Sequence, residues 1–242
     1  MKYELNARAF AYSTESIESI HNHLFSRWME IEGDWKIKKI PRIRTFVDEE
    51  EESSTWCNFG RLLTKGWKGG VHYIQRGLYD DTNPCSDSLE LQFEPSSENF
   101  SELLSRVFPV IIVRFQPYWL TVGDTEFTTP RWRPDGTTRI GDERACGGTL
   151  YPCFYLSEFG MMYYFSCSIE EAFDCLQPIA ESVQQMSDGI YVIGSSQPLP
   201  FPEAVEITAK MENALVMIHK SRPKPRPKPS LFGRIARLFG KR

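Results

Sequence analysis

A chain of 242 residues and 28.0 kDa is long enough to bury a core of its own. Its 41% hydrophobic, 13% aromatic and 25% charged residues, with a formal net charge of −4, exclude wholesale disorder, collagen-like repeats and a disulfide-held miniprotein. No run of about 18 apolar residues occurs and Met1 to Asn6 holds no apolar signal core, so neither a bilayer-spanning helix nor a cleaved leader is expected.

Three stretches share one strand–helix–strand grammar. The first opens with a strand over residues 3–12. Ser13 or Thr14 caps the helix that follows, Glu15 suits its first turn, and Ile17, Ile20, Leu24 and Trp28 recur at helical spacing. Residues 35–46 read as the returning strand, and Pro41 within them implies an edge or a bulge. The second stretch opens with Leu89 to Phe93, whose alternation marks a half-buried strand. Pro95, Ser96, Ser97 and Glu98 open a helix with Phe100, Leu103, Leu104 and Val107 on one face. Val110 to Val113 then reads as a buried strand running on towards Trp119 and Val122. Gly123-Asp124 reads as a hairpin turn into Glu126, Phe127 and Thr128.

The third stretch opens with a strand from Met161 to Cys167. Ser168 and Glu171 are spaced as a capping box, and Ala172, Phe173, Leu176, Ala180 and Val183 line one helix face, with a kink expected at Pro178. Asp188-Gly189 turns into a strand from Ile190 to Gly194. Pro202 starts a last helix, striped by Ile207, Met211, Ala214, Leu215 and Ile218, that ends near His219. These elements predict an α+β fold: one domain over 1–219, with helices packed on one face of a mixed, mainly antiparallel sheet built from repeated strand–helix–strand units. Residues 220–229 alternate proline with lysine and arginine and predict a stiff extended linker. Residues 230–242 form a short, basic, amphipathic tail.

The net charge conceals a division: residues 1–219 carry −13 and residues 220–242 carry +9. An acidic body repels phosphate, so no direct nucleic-acid binding by the body is expected; it suits a basic protein partner. The six cysteines form no CxxC pair, and the four histidines do not flank them at zinc-finger spacing. His21 and His23 point to different sides of a helix. No phosphate-binding loop, G-x-S-x-G elbow or H-E-x-x-H occurs. No catalytic residue, metal or cofactor is therefore assigned, and the chain is expected not to be an enzyme. Without a leader, reduced thiols and a cytoplasmic location are the default.

Two loop-rich stretches are the candidate binding regions. One is the acidic run Asp48, Glu49, Glu50, Glu51 and Glu52, with Trp56 four residues on. The run has three readings: a solvated loop, a contact for a basic partner, or a metal site. Trp56 is either core or an interface anchor. The other stretch, residues 129–148, holds Trp132, Asp142 and Glu143. In the tail, Leu231, Phe232, Ile235, Leu238 and Phe239 fall on one face, flanked by Arg234 and Arg237. That pattern offers an alternative role as a peripheral membrane adaptor.

In three places the layout resembles immunity protein family 52, one group of bacterial immunity proteins for polymorphic toxins. They are the strand to Tyr12 with its Ser13-Thr14-Glu15-Ser16 helix to Trp28, the strand–helix–strand from Ser88 to Val113, and the Gly189 to Gly194 strand with its Pro-rich turn and last helix. The basic tail departs from the family pattern. The resemblance implies an inhibitor of one cognate secreted toxin, of the kind delivered by type VI secretion. It further implies a nuclease toxin, whose basic cleft an acidic surface would fill.

Overall fold

The structure, a computed structural model, describes residues 1–11, 15–47, 53–74, 86–125 and 150–221. Among them nine strands pair antiparallel in a single sheet, ordered β2-β3-β4-β5-β1-β6-β7-β9-β8. The strands are β1 (Tyr3–Phe10), β2 (Arg44–Val47), β3 (Ser53–Asn58), β4 (Lys68–Ile74), β5 (Ser86–Phe93), β6 (Trp119–Asp124), β7 (Cys153–Ser157), β8 (Ser182–Met186) and β9 (Gly189–Ile193). The helices are α1 (Ile17–Trp28), α2 (Ser97–Glu102), α3 (Phe108–Phe115), α4 (Glu158–Phe165), α5 (Ile169–Leu176) and α6 (Phe201–Ser221). The α+β class and the antiparallel sheet are as the sequence predicts.

Strand alternation sorts every side chain to one of two sheet faces. Leu5 pairs with Leu91 and Val122, and Val122 with Cys153, which pairs with Ile193. That row belongs to a core with Leu24, Phe25 and Trp28 of α1 and Ile111, Ile112 and Phe115 of α3. On the other face Phe154 pairs with Val192 and Leu156 with Ile190. Those four belong to a second core with Met161 of α4, Ala172 and Leu176 of α5, and Met211 and Leu215 of α6. The helices therefore do not share one face, as the sequence suggested. α1 to α3 cover the first, and α4 to α6 cover the β7-β9-β8 end of the second.

Connection geometry explains the division. Helix α1 links β1 to β2, α2 and α3 link β5 to β6 across β1, and α4 and α5 link β7 to β8 across β9. In each case the two linked strands run parallel, because they are separated by an even number of antiparallel steps, four for the first and two for each of the others. The first two crossovers start from opposed strands and travel in opposite directions along the sheet, so one hand puts both on the same face. The third starts in the direction of β1 but travels the other way, so the same hand requires the opposite face. Strand twist favours a single hand for all such connections. The three strand–helix–strand runs are thus three crossovers of one hand.

Local chemistry sets the helix boundaries. The Ser16 hydroxyl caps α1 by accepting from the Ser19 N–H at 3.2 Å; Ser13 and Thr14 lie outside the described residues. Ser96 with Asn99 and Ser168 with Glu171 form complete capping boxes. Five expectations are corrected. Val110 to Val113 is helix, not strand: a π turn over Leu103–Val107 joins α2 to α3, with the Phe108 N–H bonded to the Leu103 carbonyl. The wide turn falls where Pro109 has no N–H for a regular ladder. Met161 to Phe165 is likewise in α4. Gly123 and Asp124 end β6 rather than turn a hairpin, and Pro178 follows the end of α5 instead of kinking it, so Ala180 lies beyond that helix and Val183 in β8 rather than on its face. Of residues 35–46, Trp35 closes a short 3₁₀ turn (Gly33–Trp35), Ile37 makes one bridge with Leu63, and the strand begins at Arg44.

Candidate functional site

Among the described residues the second core covers only part of its face. On β1, β3, β4 and β5 the side chains of that face emerge beyond the described helices. The alternation of β1 puts Glu4, Asn6, Arg8 and Phe10 there, and that of β5 adds Glu90 and Gln92. On β3 and β4, Trp56 pairs with His72, and Arg44 of β2 pairs with Trp56. These residues form the floor of an open sheet face.

Trp56 is a large apolar group on that floor, 37% exposed. Its indole lies over Gly70, where any Cβ would run into the ring, and its centroid stands 6.5 Å from that of His72. Gly70 thus provides a flat backbone seat, a role only a residue without a side chain can fill. Arg8 Nη2 and Glu90 Oε1 meet at 3.7 Å across the floor. Both are about half exposed, a geometry that contributes little to stability.

An aromatic rim borders the floor. Phe10 packs at 4.5 Å from Tyr118 and 4.7 Å from Phe159, and Phe159 stacks on Tyr163 at 5.5 Å. Phe159, Met162 and Tyr163 of α4 are each nearly half exposed. The floor and rim together offer the mixture of aromatic anchors and polar groups found at protein interfaces.

The charge of the described body is polarised. Residues 36–47 and 53–74 hold eight Lys and Arg and no Asp or Glu. Residues 150–218 hold nine Asp and Glu, with Lys210 the one basic residue. Trp56 follows the acidic run in sequence, but in the sheet its neighbours are Arg44 and His72. Of the sequence-selected residues, only Trp56 is described. Asp48 to Glu52, Trp132, Asp142, Glu143 and the tail residues Leu231, Phe232, Arg234, Ile235, Arg237, Leu238 and Phe239 lie outside the described residues.

Sequence reasoning missed Arg8, Phe10, His72, Phe159, Met162 and Tyr163. Phe10 was visible as the one aromatic on the otherwise polar side of β1. Residues 161–165 (Met-Met-Tyr-Tyr-Phe) also gave a signal, because a surface helix cannot bury five consecutive apolar residues.

Among the described residues no group of three His, Cys, Asp or Glu side chains could hold a metal ion, and no helix is long and apolar enough to cross a membrane. Burial pushes the Cys57 and Cys153 thiols up to about 12 and that of Cys175 to about 11. Cys153 donates to the Ser195 carbonyl. Only the thiolate is a nucleophile, so burial holds these thiols in their less reactive form. With Cys85 and Cys146 changed to Ser, a disulfide reagent at about pH 8 is expected to react about 100-fold more slowly with native than with urea-unfolded protein.

His21 is buried on α1, with its ring nitrogens 3.1 Å from the Tyr73 hydroxyl and 2.9 Å from the Pro41 carbonyl. Burial lowers its pKa below the ordinary 6.5, partly offset by the Pro41 contact. The neutral ring is therefore the folded form, and the unfolded chain takes up the proton first. Its stability contribution is full above about pH 6.5 and declines as the pH falls below it, by at most about 1.4 kcal/mol per pH unit. Urea unfolding between about pH 8 and 5 is expected to show this component in the wild type and its loss in His21→Gln.

No protein-family model and no curated protein matches the chain. Among solved structures, a chain described as Pseudomonas aeruginosa T6SS protein PA0821 is similar, with a TM-score of 0.52 and 11% sequence identity. The match covers 88% of this chain and 72% of that one. At that identity the likeness is one of fold.

Proposed function

We propose that this protein is an immunity protein: a binding protein, not an enzyme, that neutralises a cognate secreted bacterial toxin by occupying its surface. The observation that carries the reading is the open sheet face, on which Trp56 is presented over Gly70 beside an exposed aromatic rim. A half-covered sheet with a seated tryptophan suits a macromolecular partner better than a small substrate, which needs a concave pocket. The fold likeness to a protein described by its T6SS name supports a place in type VI secretion.

The family resemblance makes a nuclease the expected toxin. Such an enzyme is basic where it holds phosphate. The acidic run Asp48 to Glu52, which joins β2 to β3 in the chain, is the element suited to meet that surface, while Trp56 anchors the contact. The test is capture of partners by the tagged full chain from its native host at low salt. One stoichiometric protein whose toxic activity is lost in the complex supports the reading. A partner that stays fully active when bound overturns it.

A further inference from the structure

The rim side of α4 and the C-terminal sequence have complementary chemistry. Phe159, Met162 and Tyr163 are 45%, 49% and 48% exposed on α4. Helix α6 packs beside α4 and exposes Val216 and Met217 close to its own end at Ser221. Residues 222–242 follow directly. They contain eight Lys and Arg and no Asp or Glu, with Leu231, Phe232, Ile235, Leu238 and Phe239 at positions that share one side of a helix.

We infer that residues 230–239 dock on the outer side of α4 in their own molecule. Three arguments select this occupant. The first is charge: the lobe made by residues 150–218 carries nine carboxylates against one lysine, including Glu158 on α4 and Glu170, Glu171 and Asp174 on α5. The second is reach. The chain leaves the body on a helix that touches α4, and residues 222–229 in polyproline geometry span roughly 25 Å, more than the width of a helix.

The third is effective concentration. A tethered segment meets this patch at about millimolar levels, whereas an anionic bilayer has to draw the tail from a lobe of the same sign as the lipid. The docked tail covers the aromatic rim. A partner that uses the rim then has to displace it, which makes the tail a competitor for one side of the binding face. The docking itself does not depend on the identity of that partner.

The test places a benzophenone side chain at Phe232 and, separately, at Phe239 in the full-length protein, followed by irradiation and peptide mapping. The expected products are intramolecular cross-links to residues 158–165 and 216–217, with a yield independent of protein concentration. Met162→Ser with Tyr163→Ser is expected to lower the yield about tenfold. Both side chains are surface groups, and an unchanged circular dichroism spectrum verifies the fold.

Cross-links confined to other surfaces, or formed only between molecules, overturn the inference. So does an absence of cross-links in solution together with flotation on phosphatidylglycerol vesicles, which would assign the tail to lipid. An absence of cross-links and of flotation overturns it equally.

Discussion

Trp56→Ala is expected to weaken partner binding by at least about 100-fold while lowering unfolding stability by about 1–3 kcal/mol. The large effect follows from how the indole is held. One side of the ring is seated on the Gly70 backbone and the edge lies near His72. Little rotamer freedom remains to be lost on binding, so nearly all of the apolar contact counts towards affinity. The stability effect stays below that of a core tryptophan because the residue is 37% exposed in the free protein.

Gly70→Ala separates the position of the ring from its presence. The new Cβ would displace the indole, so binding is expected to weaken by at least about tenfold although Trp56 is intact. Glu90→Gln is the matching control. It removes a half-exposed ion pair with Arg8 and is expected to cost less than about 1 kcal/mol in either measurement. Titration calorimetry with the captured partner and urea unfolding read the two quantities.

Trp35→Ala is expected to lower stability by about 4 kcal/mol, a large part of the 5–15 kcal/mol of a typical domain. The residue is fully buried at the end of a 3₁₀ turn. Its ring packs against Trp67 at 4.4 Å and Phe93 at 5.1 Å, and its Nε1–H donates to the Asn99 carbonyl at 2.7 Å. The backbone of the same residue is held as well, because Trp28 donates its Nε1–H to the Trp35 carbonyl at 3.0 Å. One residue thus ties α1, α2 and β5 together.

Truncation there leaves a cavity and removes one of two donors from the Asn99 carbonyl, which the Leu103 N–H still reaches. Trp35→Phe keeps most of the packing and loses only the hydrogen bond, so it is expected to cost about 1–2 kcal/mol. Urea midpoints measure the difference, with an unchanged denaturant slope showing that unfolding remains two-state.

The fold was legible where one local pattern has one solution. The alternation of Leu89 to Phe93 and the capping box at Ser168 each survive in the structure. Val110 to Val113 and Met161 to Phe165 were misread because a short apolar run fits a buried strand and a buried helix equally. The arbiter was tertiary. Phe108, Ile111, Ile112 and Phe115 bury one side of α3 while Val113 is left exposed.

The open face was less legible because it is made by register. Arg8, Glu90 and Trp56 share a surface through pairings of β1 with β5, β5 with β4 and β4 with β3. No local stretch of sequence encodes those pairings. Trp56 was selected for its closeness to the acidic run along the chain, yet its register neighbours are Arg44 and His72.

The central claim is that one protein partner is silenced through the face that carries Trp56. It is tested most directly by titrating the captured partner's toxic activity with the full-length protein and with its Trp56→Ala variant. Complete loss of activity at one equivalent of wild type, with at least about 100-fold more of the variant needed for the same effect, is the expected result. A partner that binds stoichiometrically and stays active, or one that both proteins silence at the same concentration, would contradict it.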